Sequence, residues 1–438
     1  MNNLPQAPIP WFRNMAPYIH LHRGATFVIT VPGEVQEKGA LTGLLHDLAL
    51  LSSLGVRLVV VHGSRPQIDR RLAEAGMASE LRDGRRVTPA TAMPLVQQAV
   101  GAQRIELEAL LSMGLPSSPM AGANLKTGIG NFITAQPLGV VDGLDHQFTG
   151  KIRRIDGAGI ENLLDHGRIV LVSPLGYSPT GEVFNLEYKD VAIATAEALG
   201  AGKLILLGTS DGIHDEDSSL IRQITAGDGA RYQPKQHREA QLLHCALEAC
   251  RRGVPRTHIV SYTNADALLT ELFTTDGSGT LVTSQPYEQS RWATINDVGG
   301  ILELITPLEE SGVLLKRSRE RLEAEIGRFR LLERDGRIIA CAALYPFGES
   351  GSAELACIVS DPEYRGERRA RRLLEELENE ALNQGLSRVF VLTTQTAHWF
   401  IEQGFREASL DTLPEERQSL YNLQRNSKVF VKNIERPC

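Results

Sequence analysis

The chain has 438 residues, a formal net charge of −7 and 23 % charged residues. This length exceeds what one hydrophobic core usually holds, so we expect at least two domains. The acidic balance argues against a general nucleic-acid binder, and the sequence lacks apolar runs of the roughly 18 to 20 residues needed to span a bilayer.

The cysteines and histidines indicate neither a disulfide framework nor a metal site. The cysteines are odd in number without a CxxC pair, and the histidines lack the spacing of metal ligands. The N-terminus also lacks the basic and apolar regions of a signal peptide. We therefore expect a cytoplasmic protein with reduced thiols, without a metal ion and without a membrane contact.

In chain order, the first predicted element is an N-terminal amphipathic helix. The segment WFRNMAPYIHLHRG carries Trp11, Phe12, Met15 and Tyr18. Apolar side chains on a terminal helix usually pack on their own domain. A contact with another subunit is the alternative for this helix.

Short apolar runs then alternate with amphipathic stretches over residues 26–282. Strands are predicted at Thr26–Val31, Arg57–His62, Arg168–Val172, Lys203–Gly208 and Arg256–Tyr262. Helices are predicted at Leu41–Leu54, Pro66–Ala75, Val191–Leu199 and Glu239–Arg252. Strands separated by helices indicate βαβ units and a mainly parallel sheet covered on both faces.

The segment TSQPYEQSRW, residues 283–292, is polar, contains a proline and shows no periodicity. We place the connection between two domains there. The predicted domains are residues 1–284 and 293–438, joined by a linker at 285–292.

The second domain is predicted to be a smaller α/β unit. Its predicted helices are Asn296–Ile305, Ser318–Ile326, Arg369–Gln384 and Thr396–Gln403. Its predicted strands are Arg328–Leu332, Arg337–Leu344, Ala353–Ser360, Arg388–Thr394 and Lys428–Asn433. The first two strands are expected to form a hairpin that turns at Asp335-Gly336.

Arginines crowd the junction between the strand at 353–360 and the next helix. They are Arg365, Arg368, Arg369, Arg371 and Arg372. Cations in a first helical turn oppose the macrodipole, whereas a helix N-terminus binds phosphate. We predict that the first three meet an anion, while the last two can instead pair with Glu375 and Glu376 on a solvated face.

This stretch resembles the acyl-CoA loop of the GNAT acetyltransferase superfamily. The matching residues are Val359, Pro362, Tyr364, Arg365 and Ala370, and Arg368 replaces a glycine. The resemblance implies acetyl-CoA as co-substrate, with no permanently bound cofactor. It assigns the acyl-CoA contacts to Cys357, Ile358, Val359, Arg365, Gly366, Glu367, Arg368, Arg369, Ala370 and Arg371. The segment LTTQTAHWFIEQGF resembles the superfamily's strand–helix–GF ending, with Phe400 where many members carry a tyrosine general acid.

Glu354 is the predicted general base, because an amine that attacks a thioester must first lose a proton. It lies on the strand before the loop, between Ala353 and Leu355. A carboxylate among apolar neighbours suits proton transfer near neutral pH. The alternative is an outward-facing, salt-bridged glutamate. By resemblance, Glu354 matches a base that acts through ordered water in related synthases.

Two segments indicate the acceptor, GVLLKRSRERLE and LQRNSKVFVKNI. They resemble the N-acetylglutamate synthases of bacterial arginine biosynthesis. The resemblance implies that L-glutamate is bound by Lys316, Arg317, Arg425 and Ser427. The two carboxylates of glutamate are each best held by a cation with hydrogen-bond donors.

The first domain resembles the acetylglutamate kinases, as seen in VVVHGSRPQI, NLEYKDVAIATAEALGAGKLILL and ALLTELFTTDGSGTLV. The charged kinase machinery is altered. Thr30, Pro32 and Gly33 replace a lysine and two glycines. Lys189 replaces an aspartate, Leu242 replaces a second lysine, and Gly63-Ser64-Arg65 replaces a glycine triplet. Phosphoryl transfer needs cations that neutralise the developing charge, so we expect a binding domain without kinase activity.

By the same resemblance, this domain binds L-arginine as a feedback inhibitor. The implied site consists of Tyr18, His258, Glu271 and Gly277, with Glu271 facing the arginine cation. An ordinary buried histidine and a surface carboxylate are the alternatives for His258 and Glu271. In arginine-sensitive relatives the N-terminal helix, residues 1–24, joins dimers into a hexameric ring, so we expect a homohexamer.

These patterns together predict an arginine-inhibited acetyl-CoA:L-glutamate N-acetyltransferase of arginine biosynthesis. Two alternatives stay open. One is an N-acetyltransferase for another amino acid or a protein amine. The other is an arginine-binding sensor with a weak or silent transferase domain, which Arg368 and Phe400 favour. An active kinase is least compatible with Thr30, Lys189 and Leu242.

Overall fold

The chain divides after Gln285 into two units, Met1–Gln285 and Pro286–Cys438. The computed structural model describes residues 13, 15–37, 39–82, 84–114, 120–274, 276–284, 288–334, 337–362, 369–419 and 427–435. Within these residues, no helix has the length and apolar character required to cross a bilayer.

The first unit alternates helices with strands. Its helices are α1 (Ala16–His22), α2 (Glu34–Glu37), α3 (Leu41–Ser53), α4 (Arg65–Glu74), α5 (Met93–Leu111), α6 (Gly157–Asp165), α7 (Tyr188–Ala198), α8 (His237–Arg251) and α9 (Ala267–Phe273). Its strands are β1 (Thr26–Val31), β2 (Arg57–His62), β3 (Leu81–Arg82), β4 (Arg85–Arg86), β5 (Thr127–Gly128), β6 (Ile133–Pro137), β7 (Val140–Val141), β8 (Leu144–Asp145), β9 (Gly150–Ile155), β10 (Ile169–Val172), β11 (Leu175–Tyr177), β12 (Val183–Asn185), β13 (Lys203–Gly208), β14 (Ile213–His214), β15 (Leu220–Ile221), β16 (Gln223–Thr225), β17 (Arg256–Ser261) and β18 (Thr280–Thr283).

An eight-stranded sheet forms the centre of this unit, in the order β16-β18-β17-β13-β1-β2-β10-β5. Its neighbouring strands are parallel, except that β17 and β18 are antiparallel. The apolar runs of β1 and β13 are buried because α7 and α8 cover one face while α3 and α9 cover the other. The mainly parallel sheet that the sequence predicted is therefore confirmed.

Several elements of the first unit were not predicted from the sequence. Among them are the helices α5, α6 and α9, the strands β5, β16 and β18 of the central sheet, and a second sheet in the order β12-β11-β6-β9. The strands of this sheet are only three to six residues long and partly exposed, so even the alternation of β6 is too brief to indicate a strand. The predicted N-terminal helix is described from Ala16, while Trp11 and Phe12 lie outside the described residues.

The second unit is built on a seven-stranded sheet in the order β19-β20-β21-β22-β23-β25-β24. Its strands are β19 (Glu288–Trp292), β20 (Phe329–Arg334), β21 (Arg337–Phe347), β22 (Ser352–Ser360), β23 (Arg388–Thr393), β24 (Arg406–Ala408) and β25 (Lys428–Asn433). Its helices are α10 (Val298–Glu310), α11 (Arg319–Glu325), α12 (Arg369–Asn383), α13 (Ala397–Glu402) and α14 (Glu415–Ser419). Helices α10 and α11 pack on one face of the sheet and α12 on the other.

The predicted linker at 285–292 is too long. Residues 288–292 form the edge strand β19, which pairs with β20 along its whole length. An edge strand pairs on one side only and stays partly exposed, so its residues can be polar. The polar sequence of β19 therefore lacks the apolar alternation that would have indicated a strand. The turn expected at Asp335-Gly336 lies outside the described residues.

Candidate active site and regulatory site

Strands β22 and β23 are parallel neighbours that separate part-way along their length. They pair only from Ser352 opposite Arg388 to Glu354 opposite Phe390. Beyond Glu354 a cavity of about 720 Å³ opens between them, a size within the range of small-molecule sites. Backbone groups that β22 would otherwise offer to β23 can therefore hydrogen-bond an extended ligand.

A β-bulge shapes the wall of this cleft. Cys357 and Ile358 together stand opposite a single residue of β21. Cys357 has a φ of 50°, a left-handed conformation that is uncommon outside glycine. Cys357, Ile358 and Val359, which the sequence predicted as acyl-CoA contacts, all line the cavity.

Glu354 lies where the two strands separate, and Arg417 holds its carboxylate. Nε of Arg417 donates to Oε2 of Glu354 at 2.5 Å, and Nη2 donates to Oε1 at 3.1 Å. Each side chain is only 13 % exposed. The apolar surroundings predicted for Glu354 are therefore wrong. The salt bridge considered as the alternative is present, although the pair is largely buried rather than outward-facing.

Further polar side chains share the face of the sheet that carries Glu354. Tyr345 stands directly opposite Glu354, and its hydroxyl donates to Oε2 of Glu325 at 2.7 Å. Burial and this hydrogen bond raise the pKa of Tyr345. Arg317 is half-buried and close enough to the Cys357 thiol and Tyr345 to interact electrostatically with both.

Of the predicted glutamate ligands, Arg317 is the one that the structure places beside the cleft. Lys316 is exposed. Ser427 is half-buried and directly precedes β25. The end of β25 next to Ser427 pairs with Thr393, which lies on the cavity wall. Arg425 lies outside the described residues.

Two arginines of α12 form the helical pairs that the solvated-face alternative predicted. Nε of Arg371 donates to Glu375 at 2.8 Å, and Nε of Arg372 donates to Glu376 at 3.0 Å. Arg371 also lines the cavity.

Arg369 departs from its predicted role. Its guanidinium was expected to meet a ligand anion, but Nε lies 2.8 and 3.0 Å from the two carboxylate oxygens of Glu288. Arg369 and Ala370 do line the cavity, and Arg369 is only 4 % exposed. The other predicted contacts, Arg365, Gly366, Glu367 and Arg368, lie outside the described residues.

The cavity wall also shows which groups can exchange protons. Phe400 lines the cavity and packs edge-on against Phe405, so its position offers no acid. The hydroxyls of Thr393 and Thr396 lie 2.9 Å apart on the same wall. Neither threonine was predicted from the sequence, because the motif that contains them indicates only the position of the usual tyrosine acid, which is Phe400 here. Burial raises the pKa of the Cys357 thiol to about 11.

The regulatory residues predicted in the first unit form a buried polar network. Nδ1 of His258 lies 2.7 Å from Oε1 of Glu271, and Nε2 lies 3.3 Å from Nζ of Lys203. Burial and the Lys203 cation lower the pKa of His258, so the neutral ring donates to Glu271 and accepts from Lys203. The backbone N–H groups of Ser278 and Gly279 donate to Oε2 of Glu271 at 2.7 and 2.8 Å. Burial alone would raise the pKa of Glu271, but the hydrogen bonds from His258 and from these two backbone N–H groups lower it below its usual range.

Glu271 is thus an internally bonded buried carboxylate, which differs from the surface carboxylate considered as its alternative. Gly277 has a φ of 64° and directly adjoins this carboxylate, so a side chain would collide there. Tyr18 on α1 lies beside His22, whose Nε2 donates to the carbonyl of Leu272 on α9 at 2.7 Å. Helix α1, which carries Tyr18, is therefore bonded to α9, which carries Glu271.

The altered kinase positions lie near the carboxyl ends of the central strands. Thr30 is buried, and its hydroxyl donates to the carbonyl of Ile205 and accepts from the N–H of Leu207. The Thr30 hydroxyl is therefore bonded to the neighbouring strand β13 within the sheet. Lys189 and Leu242 line a separate cavity at this edge. Groups of three side chains suited to hold a metal ion are not found in the described part of the chain.

Comparison with known proteins matches both units. The amino acid kinase family matches residues 25–261, and the acetyltransferase (GNAT) family matches residues 300–405. Amino-acid acetyltransferases from Pseudomonas fluorescens and Azotobacter vinelandii are 52 % and 53 % identical, covering 97 % of this chain and 99 % of theirs. N-acetylglutamate synthase from Neisseria gonorrhoeae, complexed with coenzyme A and L-arginine, is similar in structure, with a TM-score of 0.92. The two sequences are 38 % identical, and the match covers 98 % of this chain and 100 % of the synthase. Its complex with coenzyme A and N-acetyl-glutamate gives a TM-score of 0.63 at the same identity and coverage.

Proposed function

Because this chain belongs to the amino-acid acetyltransferases, which it matches over nearly its whole length, we propose that it acetylates L-glutamate with acetyl-CoA in the first step of arginine biosynthesis. The observation that carries the proposal is the cleft between β22 and β23, with Glu354 where it begins and Arg317 beside it. The coenzyme A and N-acetyl-glutamate bound by the gonococcal synthase support both substrates.

Acetyl-CoA would lie between the separated strands. Cys357, Ile358 and Val359 line this space, and an extended thioester tail that contains amides can pair with their backbone groups as a strand would. The bulge at Cys357 turns the backbone locally, which suits an N–H directed at the thioester oxygen as it gains negative charge.

Glu354 would take the proton from the substrate ammonium group. In the structure Arg417 donates hydrogen bonds to both oxygens of Glu354, so the carboxylate is already engaged. A carboxylate of glutamate can compete for the guanidinium, because bidentate arginine binding suits either partner. Substrate binding would thus release Glu354 for proton transfer at the moment when the amine is present.

The acetyl transfer would be direct. The neutral amine nitrogen attacks the thioester carbonyl carbon, the C–S bond breaks, and the sulfur of coenzyme A takes up a proton. An acetyl-cysteine intermediate is disfavoured, since Cys357 stays a protonated thiol at neutral pH and the thiolate is the nucleophile.

L-arginine would bind the first unit around α9 and inhibit the transferase. The buried Lys203–His258–Glu271 network supplies charged and polar partners there, and the gonococcal complex with L-arginine supports the ligand. A coupling of about 1–3 kcal/mol corresponds to roughly 5- to 150-fold in affinity. Helix α1 bonds to α9 through His22 and exposes Leu21, which suits a subunit contact of a homohexamer.

The proposal is tested by measuring thiol release from acetyl-CoA with a panel of amino-acid acceptors, with and without L-arginine. Glutamate should be the preferred acceptor, and arginine should slow the reaction. A faster reaction with another acceptor would replace the substrate assignment. A rise in KM for glutamate that continues without a plateau as arginine increases would contradict a separate regulatory site, because coupling between two sites is finite.

A further inference from the structure

Strand β19 and helix α12 are joined by a buried ion pair. Glu288, the first residue of β19, accepts hydrogen bonds from Nε and Nη2 of Arg369, the first residue of α12, at distances of 2.5 to 3.0 Å. The side chains of Arg369 and Glu288 are 4 % and 17 % exposed. Nη1 of Arg334 lies 4.0 Å from the same carboxylate.

A second polar contact joins the same two elements further along. Ser290 lies two residues after Glu288 and therefore on the same face of β19, and its hydroxyl bonds to Glu376. Glu376 lies seven residues after Arg369, which is two turns along the same face of α12. Arg330 on β20 donates from Nε to both Ser290 and Glu376. The edge strand thus runs beside the first half of α12.

The position of Arg369 explains why its partner matters. A cation at the start of a helix opposes the macrodipole, so Arg369 alone would be unfavourable there. The carboxylate of Glu288 neutralises it. Removing Glu288 takes away the carboxylate that accepts from Nε and Nη2 of this buried guanidinium, and breaking a buried ion pair is unfavourable. The start of α12 should therefore shift when Glu288 is removed.

We infer that Glu288 is a positioning residue for acetyl-CoA binding. Through Arg369 it fixes the first turn of α12, whose Ala370 and Arg371 form part of the cleft wall. Glu288 lies three residues beyond Gln285, where the two units divide. Its ion pair with Arg369 therefore connects the start of the second unit to the cleft wall. The inference rests on the proposed use of acetyl-CoA but not on the identity of the acceptor.

The test is calorimetric titration of the full chain with coenzyme A. Glu288→Gln and Glu288→Ala should weaken coenzyme A about fivefold or more, because a buried donor loses its charged partner. In steady state, KM for acetyl-CoA should rise while kcat at saturation stays within about twofold. Glu288→Gln keeps the side-chain volume and tests the inference if Glu288→Ala does not fold.

Glu333→Gln is the matched control. Glu333 also accepts from an arginine of β19, Arg291, at 2.7 Å, but this pair faces Asp297 and not α12. The control should leave coenzyme A affinity unchanged. An equal loss in Glu333→Gln would show that only the stability of the edge strand matters, and would overturn the inference.

A double-mutant cycle separates positioning from direct contact. If the pair acts as a unit, Glu288→Gln, Arg369→Gln and the double variant should weaken coenzyme A to similar extents. If Arg369 instead binds the ligand itself, Arg369→Gln will weaken coenzyme A while Glu288→Gln will not, and the inference fails. Coenzyme A binding needs no acceptor, so a wrong assignment of glutamate would leave this test intact.

Discussion

Replacing Glu354 by glutamine removes the proposed base while keeping the size of the side chain. Both oxygens of Glu354 accept hydrogen bonds from Arg417, at 2.5 and 3.1 Å, whereas an amide offers one neutral acceptor. The variant therefore keeps part of the contact but cannot accept the ammonium proton. Loss of a general base lowers turnover by about 10²- to 10⁴-fold, so kcat near neutral pH should fall at least about 10²-fold.

The assay is the initial rate of thiol release at saturating acetyl-CoA and glutamate between pH 7 and pH 9. Activity of the variant should recover partly at high pH, because more of the glutamate amine is already neutral there. Glu407→Gln is a suitable control, since Glu407 pairs with Lys428 at 3.0 Å on the exposed part of the same sheet. Wild-type turnover of Glu354→Gln at pH 7 would refute the role of Glu354.

Three further outcomes are expected. Arg417→Ala should raise KM for glutamate about tenfold or more with little change for acetyl-CoA, because a substrate carboxylate loses its cation; equal rises in both KM values would argue for a structural role alone. Glu271→Gln should keep basal activity and lose arginine inhibition, as measured by thiol release over an arginine titration. Inhibition like that of the wild type would show that Glu271 is not part of the regulatory site. With ATP, magnesium and N-acetylglutamate the protein should form no acyl phosphate above background, since Thr30 and Leu242 replace two cations; robust product would contradict this.

The sequence predicted those strands whose burial leaves a local pattern. The runs TFVITV and KLILLG are buried on both faces of the central sheet, so their apolar residues are continuous. The pairs of Arg371 and Arg372 were also predictable, because a spacing of four residues places both partners on one helix face. The second sheet of the first unit was missed because its strands are short and partly exposed, so their patterns are too brief to indicate strands.

The two buried ion pairs beside the cleft left no local signal in the sequence. Arg417 lies 63 residues from Glu354, and Arg369 lies 81 residues from Glu288. Each pair forms because the sheet brings distant elements together, and spacing along the chain does not encode this. A sequence can indicate that Glu354 stands on a strand before an acyl-CoA loop, but not that Arg417 donates hydrogen bonds to its carboxylate.

Identification of the product tests the central claim most directly. The full chain is mixed with acetyl-CoA and L-glutamate, and the released coenzyme A and the acetylated product are quantified together by mass spectrometry. The account predicts N-acetyl-L-glutamate and coenzyme A in equal amounts, both reduced by L-arginine. Release of coenzyme A without N-acetyl-L-glutamate, or formation of a different acetylated amine in its place, would contradict the account.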